Sequence, residues 1–341
     1  MRIGILTGGG DAPGLNGIIE SVGKCLLKNK HEVIGIVDGF EGIFNQNYKA
    51  LKIDNLLGLH AQAGTLIGTS NKSRIKGKET EFLNAYKKLN LDGLVVAGGD
   101  GTFDALTPFS QQIPLIGVPK TIDNDLNGTD ITFGFDTACS VVSEAVDALR
   151  ATANAHKRVI FVEVMGRTAG WIALGGGLAS YSDVILIPEK PFDKKSLLQF
   201  INEKKQNQRG LICVVSEGAF PIGGQPEVAF TVEDSPQKER FGGIAERLSQ
   251  WVMTEAKWES RHVVLGHLQR SKPPTTTDRF LTLAMGVEVA NMIEESDWGK
   301  AAVYRSGIVT RAPITDLMKP ARLIDKDHRW IKFAQKIGIF I

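Results

Sequence analysis

The stretch Gly93-Leu94-Val95-Val96-Ala97, followed directly by Gly98-Gly99-Asp100-Gly101-Thr102, decides the fold class. A short β-branched run closed by glycine and followed by a longer helical pattern reads as a strand buried on both faces that feeds a helix through a tight turn. The same reading applies to RIGILT at 2–7, EVIGIV at 32–37 and PLIGV at 114–118. It resumes with RVIFVEV at 158–164, DVILI at 183–187, GLICVV at 210–215 and HVVLG at 262–266. Two sets of alternating strands and helices are more economical as two α/β lobes than as one very large sheet. The expectation is therefore two doubly wound, Rossmann-like lobes with the active site in the cleft between them. Between the sets, Ala138, Val141, Val142, Ala145, Val146 and Leu149 recur at three- and four-residue spacing, which predicts one core-facing helix over 136–154 that joins the lobes. The stretch 220–237, with its glycines, prolines and acids, reads as a surface excursion.

Length agrees, since 341 residues at roughly 150 per domain suggest about two domains. Hydrophobic residues at 43% and charged residues at 23% lie outside the compositions of disordered and membrane chains. Forty basic side chains against thirty-eight acidic ones leave +2, too balanced for a nucleic-acid-coating surface, so any anion is held locally. Cys25, Cys139 and Cys213 match no metal or redox spacing and read as buried thiols in a reducing compartment. The apolar start at 2–7 is too short for a signal segment, and no run is long enough to span a bilayer. The cytoplasm is the expected location, with no membrane and no nucleic acid as partner.

Three turns carry chemistry. Gly8-Gly9-Gly10-Asp11-Ala12-Pro13-Gly14 follows the first strand and could turn several backbone N–H groups toward an anion at a helix N-terminus. It is not the dinucleotide pattern, because Pro13 stands where the third glycine belongs. It is not a P-loop either, since Gly23-Lys24 lacks the upstream glycine. Taken alone it could equally be a plain structural turn. Gly98–Thr102 adds a carboxylate, and bare backbone for phosphate beside an aspartate for a hard cation suits a metal–nucleotide site. The alternative is Asp100 as a helix cap. Pro119-Lys120-Thr121-Ile122-Asp123-Asn124-Asp125 supplies two more acids. If the segment is extended, Asp123 and Asp125 share one side, with Ile122 and Asn124 on the other. One acid could then accept a hydroxyl proton while the other serves the metal; an Asx turn is the competing reading.

Read together, these turns and two further strings, Glu163-Val164-Met165-Gly166-Arg167 and Gly266-His267-Leu268-Gln269-Arg270, resemble the 6-phosphofructokinase family in the same order over residues 9–270. The resemblance implies a glycolytic kinase: a transferase moving phosphoryl from ATP to fructose 6-phosphate with Mg2+. It implies Asp123 as the base, with Thr121 beside the transferred group, and counts Arg167 with them as catalytic. It makes Asp100 and Asp125 the magnesium-side carboxylates. Gly10, Asn71, Lys72, Gly99, Gly101, Thr102 and Lys120 fall to the donor, and Met165, Gly166, Arg167, Glu217, His267 and Arg270 to the sugar phosphate, together with Thr121, Asp123 and Asp125. Arg158 and Arg261 are implied to reach a neighbouring active site in a homo-oligomer, commonly a tetramer. Arginine's forked donors suit a phosphate in any case. The donor lobe is expected over 1–134 plus about 269–310, and the sugar-phosphate lobe over 135–268 plus about 311–341.

Pyrophosphate users of the family carry aspartate at the position of Gly101 and lysine at that of Lys120, so this chain is mixed. Glycine leaves room for a nucleotide's α-phosphate, which makes ATP the expected donor and pyrophosphate the alternative. Ser271-Lys272 and two prolines replace the usual glycines after Arg270, which leaves another sugar, such as sedoheptulose 7-phosphate, open. Asn71 and Lys72 stand where many members have arginine, and Phe40 where the best-known bacterial forms have tyrosine. Of the bacterial effector pattern Arg150 and Glu189 match, but Glu20 and Lys24 replace two arginines. An acid there should repel a phosphate effector. An idle sugar-phosphate-binding subunit is the non-enzyme alternative, against which Asp100, Thr121, Asp123 and Asp125 are all present. A nicotinamide-dinucleotide or lipid kinase would have only Gly98–Thr102 in its support.

Overall fold

A computed structural model describes residues 1–70, 75–231 and 239–341. In chain order the strands are β1 (Arg2–Thr7), β2 (Glu32–Ile36), β3 (Tyr48–Ala50), β4 (Gly93–Gly98), β5 (Leu115–Pro119), β6 (Val159–Val164), β7 (Val184–Leu186), β8 (Leu211–Ser216), β9 (Val228–Thr231), β10 (Glu239–Phe241), β11 (Ser260–Val264), β12 (Lys300–Arg305) and β13 (Ile308–Pro313). The chain divides into two compact units. The first holds Met1–Ile122, Leu126–Thr137 and Arg270–Ala321, and the second Asp123–Asp125, Ala138–Gln269 and Arg322–Ile341.

Among the described residues the first unit builds one seven-stranded sheet in the order β13-β12-β5-β4-β1-β2-β3. β2, β1, β4, β5 and β12 run parallel, and the antiparallel β3 and β13 close the two edges. Side chains alternate across the pleat as a doubly covered sheet requires. Ile3, Ile5, Val95, Ala97, Ile116 and Val118 pack against the helices Leu15–Lys28 and Thr276–Glu294. Leu6, Ile34, Ile36, Leu94 and Val96 pack on the other face with Phe82, Tyr86, Phe103 and Leu106.

The second unit is a four-stranded parallel sheet in the order β11-β6-β8-β7, with β9 and β10 as a separate antiparallel pair. Val159, Phe161, Leu211, Cys213 and Val215 meet Leu197, Ile201, Leu248 and Val252 from the helices Lys194–Asn207 and Ile244–Glu255. Of the cysteines only Cys213 is buried, and burial pushes its thiol well up; Cys25 and Cys139 are half-buried. No helix among the described residues is long and apolar enough to cross a membrane.

Three expectations change in extent. The first unit continues to Ala321 rather than ending near 310, because the β12–β13 hairpin is hydrogen-bonded to β5 and the turn Ile314–Met318 packs its buried Ile314 and Leu317 with it. The stretch read as a surface excursion contains β9, while residues 232–238 lie outside the described part. The predicted helix runs Phe135–His156, with Ala138, Val141, Val142 and Val146 buried and Ala145 and Leu149 half-buried.

That long helix starts on a carboxylate. Asp278 is fully buried and accepts the Gly134 and Thr137 amides, each at 2.9 Å, and the Thr137 hydroxyl at 2.5 Å. Thr275 in turn donates to Asp136 at 2.6 Å. Burial pushes the Asp278 carboxyl up to about 6, against the pull of these same donors. Asp278→Ala strands buried donors, each costing about 1–3 kcal/mol when left unpaired, so the urea midpoint should fall by an amount equivalent to about 2–4 kcal/mol. A midpoint shifted by less than about 0.5 kcal/mol, the range of an ordinary surface substitution, would show that the helix start is held by something else.

Candidate active site

The first unit gathers its functional turns on one edge of the sheet. β1, β4 and β5 are neighbours, and their ladder continues past the strand ends, with Gly8 N–H donating to Ala97 O and Lys120 N–H to Gly98 O, both at 2.9 Å. Ligands of open parallel sheets are bound at this carboxyl edge. The glycines are steric requirements. Thr102 is buried, and a Cβ on Gly8 or Gly98 would stand 2.8 or 2.5 Å from its side chain. Gly9 has φ +78° and is tied to the loop before residue 71, the Thr69 hydroxyl donating to Gly9 O at 2.6 Å. Asn71 and Lys72, expected at the donor, lie outside the described residues.

Two cations hold consecutive carbonyls of this turn. Lys120 is 3% exposed and its ammonium donates to Gly10 O. Arg270 donates from Nη1 to Asp11 O at 2.6 Å, with its guanidinium against Gly10. Arg270, expected with the sugar-phosphate residues, therefore groups with the first unit. Asp100 is exposed and accepts the Gly101 N–H at 2.7 Å. A Cβ on Gly101 would meet nothing within 4 Å. Gly99 stands beside it, with the Lys120 carbonyl 3.4 Å from its Cβ position. The Thr132 hydroxyl holds Thr121 O at 2.7 Å. Phe40 is 5% exposed and meets Phe82 edge-on at 5.9 Å, so its ring belongs to the core.

The second unit repeats the arrangement. Met165–Arg167, Glu217 and His267 follow the carboxyl ends of the neighbouring strands β6, β8 and β11. Glu217 N–H donates to Val164 O at 2.9 Å, and Ser216 Oγ to Gly166 O at 2.5 Å. Gly166 has φ +135°, and a Cβ there would be 2.5 Å from Ser216 Oγ. The fully buried Gln269 accepts from Met165 N at 3.3 Å and donates to Gly266 O at 3.0 Å. Glu163 accepts the Gly243 and Ala245 amides at 3.1 and 3.0 Å and so caps the helix Ile244–Glu255. Arg167 lies over the Phe241 ring at 4.9 Å, and its Nε is buried without a hydrogen-bond partner among the described residues. Arg158 and Arg261 both pair with Glu259, at 2.8 and 2.7 Å. His267 is exposed and Glu217 half-buried.

The Asp123–Asp125 segment is not an extended strand, because Asn124 takes a left-handed φ of +52°. Burial nevertheless alternates: Thr121, Asp123 and Asp125 are half-buried, while Ile122, Asn124 and Leu126 are buried. Sequence reasoning missed Arg322, which donates to Asn124 O from Nε at 3.2 Å and Nη2 at 2.8 Å. It also missed Phe241, which sits at the end of a hairpin that carries no motif.

Of the residues matched to the effector pattern, Glu20 is buried and already satisfied. It accepts from Lys24 Nζ at 2.5 Å, from His60 N at 2.7 Å and contacts His60 Nδ1 at 2.8 Å. Burial pushes its carboxyl up, but these partners outweigh that and bring it down to about 2. Arg150 Nη2 donates to Ser180 O at 3.0 Å and Tyr181 O at 2.8 Å. Glu189 accepts Gly170 and Ile324 amides, each at 3.1 Å.

A sequence profile described as Phosphofructokinase matches residues 2–293. A Clostridium perfringens protein named ATP-dependent 6-phosphofructokinase 2 is 38% identical, covering 99% of this chain and 97% of its own length. A Mycobacterium bovis ATP-dependent 6-phosphofructokinase is 40% identical over 96% and 97%. A Streptomyces coelicolor pyrophosphate–fructose 6-phosphate 1-phosphotransferase is 35% identical over 100% and 99%. Among solved structures, T-state phosphofructokinase from Pichia pastoris superposes with a TM-score of 0.82 at 26% identity, over 93% of this chain and 37% of that longer one.

With Glu20 ionised and already occupied by Lys24 and His60, an added nucleoside diphosphate meets a buried negative charge rather than an arginine. Millimolar ADP should leave the half-saturating sugar-phosphate concentration within about twofold, a change worth under about 0.5 kcal/mol. A leftward shift of the curve by fivefold or more would show that the Glu20 cluster opens to take the anion.

Proposed function

The chain belongs to the phosphofructokinase family, and on that footing we propose how its residues phosphorylate fructose 6-phosphate. The activity is that of an ATP-dependent 6-phosphofructokinase, a glycolytic kinase that forms fructose 1,6-bisphosphate. One observation carries the donor reading: Gly101 opens onto free space beside Asp100, so the position that would hold an aspartate is clear for a nucleotide's α-phosphate. Lys120, the feature favouring pyrophosphate, is buried against the Gly10 carbonyl and acts on the donor turn as well as on any phosphate.

In this reading the Asp123 carboxylate accepts the proton of the sugar 1-hydroxyl as that oxygen attacks the terminal phosphorus. The bond to the ADP oxygen breaks, and ADP leaves with its electron pair. Thr121, Arg167 and Lys120 answer the charge that spreads over the transferred group, and the Gly10, Gly99, Gly101 and Thr102 backbone takes the remaining phosphates. Met165, Gly166, Glu217, His267 and Arg270 line the sugar. Arg158 and Arg261 would serve the 6-phosphate of a neighbouring subunit in a homo-oligomer. The low-contact exposure of Asp100 fits a magnesium ion, and the described residues hold no group of three or more acidic, histidine or cysteine side chains that could cage one. Mg2+ keeps water and substrate phosphate among its ligands and needs few carboxylates, and Asp100 and Asp125 are the ones the family resemblance assigns to it. When bound it neutralises charge between the donor phosphates. A reducing, cytoplasmic setting suits such an enzyme.

Purified protein with Mg2+ and fructose 6-phosphate should yield bisphosphate with ATP and not with pyrophosphate; product from pyrophosphate alone would reverse the donor assignment. Asp123→Ser should lower kcat by about 10²–10⁴-fold, the usual share of a general base, and leave sugar binding in place. Gly101→Asp should lower kcat/KM for ATP by about 10–100-fold, or about 1.4–2.7 kcal/mol, through crowding and charge repulsion. Unchanged ATP kinetics in that variant would mean that the α-phosphate lies elsewhere.

A further inference from the structure

Arg322 lies 198 residues beyond Asn124, in a C-terminal stretch without any motif, yet it is bonded to the backbone of Asn124 and Asp125. Its guanidinium donates twice to the carbonyl of Asn124, and its own N–H donates to the carbonyl of Asp125 at 2.6 Å. Asn124 is the residue between the two aspartates, and it takes a left-handed φ of +52°, which turns the chain there and sets its carbonyl toward Arg322. We propose that Arg322 is the positioning residue of the phosphoryl-transfer loop, setting the peptide between Asp123 and Asp125 so that both carboxylates are aimed.

The arginine is itself built in. Its guanidinium stacks over Trp171 at 4.9 Å, and the indole N–H of Trp171 returns a bond to the Arg322 carbonyl at 2.9 Å. Trp171 is 6% exposed and is backed by His328 at 5.1 Å and Trp330 at 6.1 Å, both edge-on. Two residues on, Ile324 N–H and Gly170 N–H share the Glu189 carboxylate. Residues 322–324 thus tie the aspartate segment to the start of the helix Trp171–Ala179, which follows the loop carrying Arg167. A planar fork on one carbonyl with an aromatic platform beneath leaves little orientational freedom, and a lysine would keep only a single-point version of it. The inference rests on Asp123 being the base.

The test uses the full chain and measures kcat, both KM values and the urea midpoint for wild type, Arg322→Met, Arg322→Lys, Trp171→Phe and Asp123→Ser. Loss of alignment without loss of ligand contacts should lower kcat of Arg322→Met by about 10–100-fold while both KM values stay within about threefold. Arg322→Lys should recover about threefold of that loss and stay more than about twofold below wild type, since one donor to Asn124 remains. Trp171→Phe, which keeps a ring but loses the indole bond, should fall between wild type and Arg322→Met. If Arg322→Met does not fold, the lysine and phenylalanine variants carry the same comparison. A kcat within twofold of wild type in the arginine variants overturns the assignment. So does a loss that merely tracks the fraction unfolded, with lysine no better than methionine. Those results with Asp123→Ser inactive sink the positioning role alone, whereas an active Asp123→Ser sinks the choice of base and this inference with it.

Discussion

The donor edge depends on a steric constraint: one threonine side chain stands where two turns come together. Thr102 is buried against the places where Cβ atoms of Gly8 and Gly98 would be, at 2.8 and 2.5 Å. β1 and β4 can release their chains side by side only if both residues there lack side chains. Once they do, the backbone of both turns lies bare at the carboxyl edge of the sheet, which is the surface a phosphate needs. The structural and the phosphate readings of a glycine-rich turn, which compete when the sequence is read alone, are compatible here, because the glycines that the packing requires are the ones that leave the backbone bare. Gly101 differs from them: no neighbour forbids a side chain there, so the packing does not require its glycine.

Legibility followed burial. β1, β2, β4, β5, β6, β7 and β8 were readable because strands covered on both faces are nearly continuous β-branched runs, whereas the largely exposed β11 was read from its two valines alone. β3 is exposed at all three residues and closes an edge, and β13 is half-exposed, so neither has an apolar pattern to read. β12 holds two alanines at its buried centre, Lys300-Ala301-Ala302-Val303; Ala301 packs with Phe103 and Ile314 on one face and Ala302 in the core of the other, which suits close packing but not a search for large β-branched residues. The alternation of Asp123 and Asp125 was legible even though the segment bends, because period two in burial survives one left-handed residue at Asn124. What fixes that residue was not legible: the bond comes from position 322, and no local pattern announces a contact across 198 residues.

The motif strings also divide by task in a way that residue type conceals. In Glu163–Arg167 the glutamate is 3% exposed and spends its oxygens on the amides of Gly243 and Ala245, while the arginine faces Phe241. In Gly266–Arg270 the glutamine is fully buried and joins Met165 to Gly266, while His267 is exposed. A buried polar group must be paired, so Glu163 and Gln269 are committed to the backbone that aims their neighbours. Each string therefore carries its own support, and a substitution in the supporting residue would act through geometry rather than charge.

Charge partners sort two further clusters by the same logic. Glu20 is buried with two partners and would have to give up both to admit an anion, which makes its cluster a closed one. Glu259 is different. It gathers Arg158 and Arg261, and hydrogen bonding from Arg158 first, outweighing a small burial cost, draws its carboxyl below the ordinary range. The carboxylate itself is 44% exposed, and pairs so open to water are weak. A phosphate brings more charge and more acceptor oxygens than one carboxylate, so it can displace Glu259 at little cost. Arg158 and Arg261 are thus gathered by a contact that a phosphate group would outcompete.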